Sequence, residues 1–364
     1  MPLKPEDYLL LMFSMKGVGK RVDFNHVKEK VSRDLKKFSD EEIRKILENL
    51  IKEGFLEEVK GLYGVTEKGE EFFEKRIKEV EQDLRKVNEP WVVVYKAKKY
   101  YPFVADTVFE FCKNRYVGFY ALFTEKRFFR RDFRGKKIVL NSVKDLLFFV
   151  NIHYIDVIPC VHRIGINRPD WLVVDIDPGP KVSWERTKEV AEITYKIFEK
   201  LDLNPAMKFS GSRGFQIWSL IKEFEIPEFY QPLTLRGKTK RERNYFTLFS
   251  DFVRVIQREV DKEIPRITTS ETLLKEERED KILLDPASMK PLGLVRAPYS
   301  VHSKTGLVSL PLNIKELKRF EREEATTEKV IERYRKKGNE FVLKESEPSK
   351  ILDLLKDKVN LFNF

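Results

Sequence analysis

The sequence has little of what metal–sulfur and disulfide sites need. It holds two cysteines, Cys112 and Cys160, and four histidines in 364 residues. Two cysteines exclude a Cys-rich zinc centre and a disulfide framework. The expectation is therefore no zinc and a reducing, cytoplasmic setting. No apolar run approaches the ~20 residues that span a bilayer, so no membrane partner is expected. The early apolar run 8–13 follows Glu6 and Asp7, unlike the basic start of a signal peptide. Glutamine is also scarce, at four, while charged residues reach 35%, a heat-adapted composition.

What is abundant is positive charge and phenylalanine. Lys and Arg number 70 against 59 Asp and Glu, a formal net of +11, and there are 28 Phe. A basic protein with this apolar content folds and meets a polyanion, by default a nucleic acid. The charge is uneven. Residues 1–89 carry 19 Lys and Arg against 20 Asp and Glu, a net of −1, so the remainder carries +12.

The first 88 residues read as helices at 6–15, 26–38 (capped by Asn25) and 40–53, a glycine hairpin over 55–66, and a charged helix at 67–86. Ser39 with Glu42 makes a capping box for the third helix, and Gly54 closes it. That order, with the stretch LIKEGFLEEVKGLYGVTEKGEEF, resembles a winged helix-turn-helix. Its third helix, which would read a DNA groove, carries Asp40, Glu41, Glu42 and Glu48, so a docking or dimerisation module is the competing reading. Pro90 marks a boundary. Beyond it, short β-branched and aromatic runs (91–95, 118–123, 137–140, 171–177, 215–220) alternate with helical patterns, an α+β or mixed α/β domain reaching about residue 312. Residues 313–364 read as a polar helical tail. Its last four, LFNF, are either a docking peptide for a replication or repair partner or a tail folded back on the body.

Three elements carry chemistry. In WLVVDIDPGP an apolar strand runs into Asp175 and Asp177, which share a face. Two such carboxylates repel and call for a cation, and oxygen ligands suit Mg²⁺ or Mn²⁺. In KFSGSRGFQIW, Gly211 and Gly214 bracket Ser212 and Arg213, offering backbone and side-chain donors to an anion; a plain hairpin turn is the alternative. The third element is ILLD, ending in Asp285, followed by VRAPYSVHSKTGL with Arg296, His302 and Lys304 as phosphate donors or a solvated loop.

Taken in order, these three elements resemble the archaeo-eukaryotic primase superfamily. LVVDIDPGPKVSW and the spacing from Asp285 to Ser300 are most similar to the polymerase domain of bacterial end-joining DNA ligases. SVHSKTGL is more similar to the small catalytic subunit of archaeal and eukaryotic primases. The resemblance implies an α+β chain: a winged helix over 1–88, a primase-type mixed α/β catalytic domain over 89–312, and a tail over 313–364. It implies templated nucleotidyl transfer to a 3′-hydroxyl with two Mg²⁺ or Mn²⁺ ions, on primer-template, gapped or broken DNA ends. Asp175, Asp177 and Asp285 would hold the metals. Ser210, Gly211, Arg213, Gly214, Gln216, His302 and Lys304 would meet the nucleoside triphosphate.

Two positions depart from the pattern. Gln216 stands where the motif has His, and Ile158 where the end-joining polymerases have another; His162 is a nearby substitute. A degenerate relative that binds nucleic acid without polymerising is therefore the alternative, and a metal-dependent glycosyltransferase using Asp-x-Asp a more distant one. Arg127, Arg130 and Arg131, interleaved with Phe128, Phe129 and Phe133, are candidate nucleic-acid contacts, with the Phe side chains expected in the core. Residues 235–243, with Lys238, Lys240, Arg241 and Arg243, read as a mobile basic loop.

Overall fold

The computed structural model describes residues 3–35, 38–123, 126–235, 241–271 and 278–359. The chain opens with α1 (Pro5–Lys16), β1 (Val22–Asp23), α2 (Phe24–Asp34), α3 (Asp40–Lys52), β2 (Leu56–Val59) and β3 (Leu62–Val65). β1, β3 and β2 form a small antiparallel sheet. The capping box of α3 is present, with Glu42 N–H donating to Ser39 Oγ at 3.2 Å. α2 starts earlier than the sequence reading placed it. Asp23, not Asn25, caps it, accepting from His26 N–H at 2.8 Å.

α4 (Glu67–Cys112) then runs 46 residues through the expected boundary. Residues 91–95, read as a strand, are helical. Asn88 leaves helical geometry (φ −154°, ψ 79°) and kinks the element. Its Oδ1 accepts from Trp91 N–H at 3.2 Å, so it caps the second half, with Pro90 in the first turn where a missing N–H costs nothing. Trp91 to Tyr95 are buried all round, and continuous burial, not strand pairing, explains their apolar character.

Next come β4 (Val117–Phe123), β5 (Lys126–Arg130), β6 (Asp132–Phe133), β7 (Lys136–Lys137), α5 (Val143–Asn151) and β8 (Tyr154–Pro159). A three-stranded sheet runs β5-β4-β8. The remainder is β9 (Trp171–Pro178), α6 (Trp184–Lys200), β10 (Ala206–Phe209), β11 (Phe215–Ile221), α7 (Tyr245–Glu263), β12 (Thr268–Thr269), β13 (Ile282–Asp285), β14 (Pro311–Leu312), α8 (Thr327–Lys337), β15 (Glu345–Ser346) and α9 (Ser349–Val359). These strands build the main sheet, ordered β12-β13-β9-β11-β10-β14, with β15 parallel to β11.

The segment after Leu312 joins this body. α8 packs on α4 and α9 on α7, and the Phe341 ring meets Phe111 and Trp218 edge-on. The terminal LFNF lies outside the described residues, as do Lys238 and Lys240. Arg241 and Arg243 do not belong to a loose loop. Arg241 pairs with buried Asp251, and Arg243 donates to the carbonyls of Tyr230, Ile226 and Pro227. Among the described residues no helix is long and apolar enough to cross a membrane.

Candidate active site

Strand register assembles the site. Asp175 of β9 lies opposite Gln216 of β11 on one side and Asp285 of β13 on the other. Gln216 in turn pairs with Lys208 of β10. Paired residues share a face, so Lys208, Gln216, Asp175 and Asp285 form one row across four strands. Asp177 follows two residues along, on the same face. The row opens into a cleft of about 340 Å³ whose other walls include Arg131, Phe129, Ile158, Lys290 and Arg296.

Burial, then Asp285, then Asp177 push the Asp175 carboxyl up to about 6, against a counter-pull from Gln216 and Lys208. The Asp177 oxygens accept from Arg213 at 3.0 Å and Arg278 at 3.2 Å. Asp285 Oδ1 accepts from Ala287 N–H at 2.8 Å. Among the described residues no three His, Cys, Asp or Glu side chains converge tightly enough to hold a metal as they stand.

Lys208 is fully buried. Its Nζ donates to Gln216 Oε1 and to Ser309 Oγ, each at 2.7 Å. Trp218 Nε1 donates to the same Gln216 oxygen at 3.3 Å. With its oxygen so occupied, the Gln216 amide N–H₂ is the end left for Asp175. Burial holds the Lys208 ammonium well below its ordinary range.

The glycine loop lies along β9. A Cβ on Gly214 would sit 1.8 Å from the Ile176 carbonyl oxygen, so only glycine fits there. Gly211 has φ +89°, and a Cβ there would come 2.9 Å from His302 Cβ. Ser210 Oγ accepts from Gly214 N–H at 3.2 Å, closing the turn. The facing loop is tied on by Thr305 Oγ1, which donates to the Gly211 carbonyl at 2.6 Å. His302 Nδ1 accepts from the N–H groups of Lys304 and Thr305, both at 3.2 Å. Its proton is thereby assigned to Nε2, and burial, then Arg296, bring its pKa down to about 3. His302 is thus a neutral donor. Lys304 is exposed beside it.

Several residues depart from their expected roles. Arg296 braces the site. Its Nε and Nη2 donate to Asp156 of β8 at 2.7 and 3.0 Å, and its Nη1 to the Ser210 carbonyl at 3.0 Å. Asp156 is fully buried. Burial alone would raise its pKa, and Arg296 outweighs that and lowers it. His162 does not take the place of the absent histidines. Its Nδ1 faces the Arg163 carbonyl at 3.0 Å, its Nε2 accepts from Leu292 N–H at 3.2 Å, and it does not line the cleft. The expectation that Phe128 and Phe129 lie in the core fails. Phe129 is 38% exposed and lines the cleft, and neither ring belongs to the buried core. Arg131 lines the cleft too, while Arg127 and Arg130 are exposed on β5 outside it.

The sequence reading missed Lys208, Asp156, Lys290 and Arg278. A lone carboxylate in the apolar run YIDVIP, and a lysine two residues before Ser210, were the available signals. Arg278 lies in a charged run that gave none.

A family model described as the primase-polymerase domain of LigD matches residues 110–341. The multifunctional non-homologous end joining protein LigD of Pseudomonas aeruginosa is 29% identical over 69 residues, 16% of this chain and 8% of that protein's length. The structure of the polymerase domain of Mycobacterium tuberculosis Ligase D in complex with DNA superposes with a TM-score of 0.55 at 17% identity, covering 67% of this chain and 88% of that one. That likeness is one of fold.

Proposed function

Since the chain belongs to the family of LigD primase-polymerase domains, we propose that it is a DNA-directed nucleotidyltransferase that adds nucleotides to a 3′-hydroxyl in DNA repair or replication. The observation that carries this is the row of Gln216, Asp175 and Asp285 across three paired strands, with Asp177 two residues on and a glycine loop beside it.

The donor set fits two hard divalent cations. Three carboxylates supply oxygen ligands, and the raised pKa of Asp175 records a crowding that a cation relieves. Asp175, Asp177 and Asp285 would hold Mg²⁺ or Mn²⁺; when bound, the ions supply charge neutralisation and a lowered pKa at the primer hydroxyl. Asp177 exchanges its bonds to Arg213 and Arg278 for that role, which frees both guanidinium groups for phosphate oxygens. The N–H groups of residues 211–213 in the turn closed by Ser210 and Gly214, with the Nε2–H of His302, cradle the triphosphate, and Lys304 adds charge at the rim. Phosphoryl transfer needs positioning and neutralisation more than a side-chain base, so partly exposed carboxylates braced by buried Gln216 and Lys208 suit it. Arg127, Arg130 and Arg131 on and beside the edge strand β5 take the template phosphates.

In this reading the first 88 residues form a winged-helix module and the rest the catalytic domain, whose main sheet takes in β15 from the segment after Leu312. A second reading is favoured by three particulars: Gln216 and Ile158 in place of histidines, and two arginines on Asp177. It makes the chain a binding protein without turnover. Primer extension separates the two. We expect Mn²⁺- or Mg²⁺-dependent extension that disappears in Asp175→Asn with Asp177→Asn. Tight DNA binding with no incorporation under either metal would establish the second reading.

A further inference from the structure

A second basic cleft, of about 470 Å³, lies between the N-terminal helices and the body. One side is the end of α1, β1 and the start of α2. The other is α4, the end of β4 and the α5–β8 turn. Lys16, Lys20, Arg21, Lys30 and Lys98 line it with two histidines, and no carboxylate does. Arg21 and Lys30 pair with Glu57 and Glu29 outside the lining. Lys98 Nζ has the Met15 carbonyl at 2.7 Å. Lys16 and Lys20 have no carboxylate partner among the described residues. Residues 1–89 carry a net charge of −1, yet four of their cations line this one cleft.

The crowding is felt. Burial, then Lys16, bring the Lys98 ammonium down to about 8. Burial, then Lys30, lower Lys16. Burial, then Lys98, bring His153 down to about 4. Like charges lining one cavity, with carboxylates only outside the lining, favour an anion there.

The mouth points to a strand and not to a free anion. Phe123 is 39% exposed there, its ring 6.2 Å from that of His153, which suits stacking on an unpaired base. The β4–β5 hairpin then carries exposed Lys126, Arg127 and Arg130 toward Arg131 and Phe129 in the carboxylate cleft. The five residue steps from Lys126 to Arg131 span about 17 Å of extended chain. Lys126, Phe128 and Arg130 share the face of Phe123, while Arg127 and Phe129 share the face of Tyr120 in the carboxylate cleft, so a strand joining the two clefts passes over the basic edge that β5 forms.

We infer that this cleft is a second nucleic-acid site, holding phosphodiester groups of a single-stranded segment that continues from the carboxylate cleft along β5. The identity of the ligand rests on the reading proposed above; the anion chemistry does not.

The test uses the full chain and a fluorescent single-stranded oligothymidylate, followed by anisotropy over a NaCl series. Lys16→Ala with Lys20→Ala replaces two exposed side chains, so an unchanged melting temperature accompanies it. Each lost phosphate contact lowers the salt slope by about 0.7. The pair should therefore lower it by about 1.4 and weaken binding roughly ten-fold at low salt. Lys45→Ala with Lys52→Ala on α3 should change neither. In lysine acetylation footprinting, the oligonucleotide should protect Lys16 and Lys20, and tripolyphosphate at equal phosphate concentration should not. An unchanged slope in the first variant overturns the site, as does equal loss in the α3 variant. Equal protection by tripolyphosphate overturns its assignment to nucleic acid. Failure of the polymerase reading shows separately, as absent incorporation by the wild-type chain.

Discussion

Asp175 stands between Gln216 and Asp285 on neighbouring strands, and its charge is opposed by burial and by two carboxylates. Its folded pKa of about 6 lies above the ordinary 3.8. The native state therefore holds the proton more tightly, and this contribution to stability is present below pH 4 and lost as pH rises through 6. Asp175→Asn removes the opposed charge. It should raise the melting temperature at pH 7.5 while abolishing incorporation, and the gain should shrink by pH 5; thermal scans across that range check the sign. Wild-type activity should rise with pH through about 6, and more Mn²⁺ should move the midpoint down, because the ion competes with the proton. Lys208 acts on Asp175 through Gln216. Lys208→Met leaves Trp218 as the donor to the Gln216 oxygen. Metal affinity should fall about ten-fold, in the range for groups that orient a ligand, as read by Mn²⁺ titration. The Asp-x-Asp pair was legible because a two-residue step fixes a shared face. Lys208 and Asp156 were not, because their partners Gln216, Ser309 and Arg296 come from other strands and loops.

Among the elements, α4 shows where local reading stops. Residues 91–95 carry strand-forming side chains, but they lie on a helix that is covered on all sides. Pro90 is expected at a domain boundary; in the structure it lies in the first turn after a kink capped by Asn88, within one helical element. Asn88 also donates to Asp34 Oδ2 at 2.8 Å, tying the kink to α2. Asn88→Ala should cost about 1–2 kcal/mol for a lost cap and hydrogen bond, measured by denaturant unfolding. The capping box of α3 and Gly54 after it were readable because caps are local. The sheet order β12-β13-β9-β11-β10-β14 was not, since it depends on which distant strands pair. Gly214 links the two levels. Gly214→Ala sets a methyl against the Ile176 carbonyl, so the 210–214 turn must lift from β9. Nucleotide affinity should fall more than global stability, a split that ligand-dependent melting shifts can resolve.

For the whole molecule, net charge indicated a polyanion partner, and the structure shows how the charge is distributed. The body carries the excess, with Arg127 and Arg130 exposed on β5 and Arg131 beside the carboxylates. Replacing Arg127 and Arg130 with Ala should weaken primer-template binding at every sequence and reduce the salt slope by about 0.7–0.9 per lost contact, leaving turnover at saturating DNA nearly intact. The division of the chain was only partly legible, because the polar tail hides Phe341, Ile351 and Leu355, which are buried with the body. The central claim is that the three aspartates serve templated transfer. Single-nucleotide incorporation on gapped DNA, with each template base in turn and Mn²⁺ present, tests it most directly. The account predicts that the complementary nucleotide is added in all four cases and that Asp285→Asn adds none. Incorporation independent of the template base, or unaffected by loss of Asp285, would contradict it.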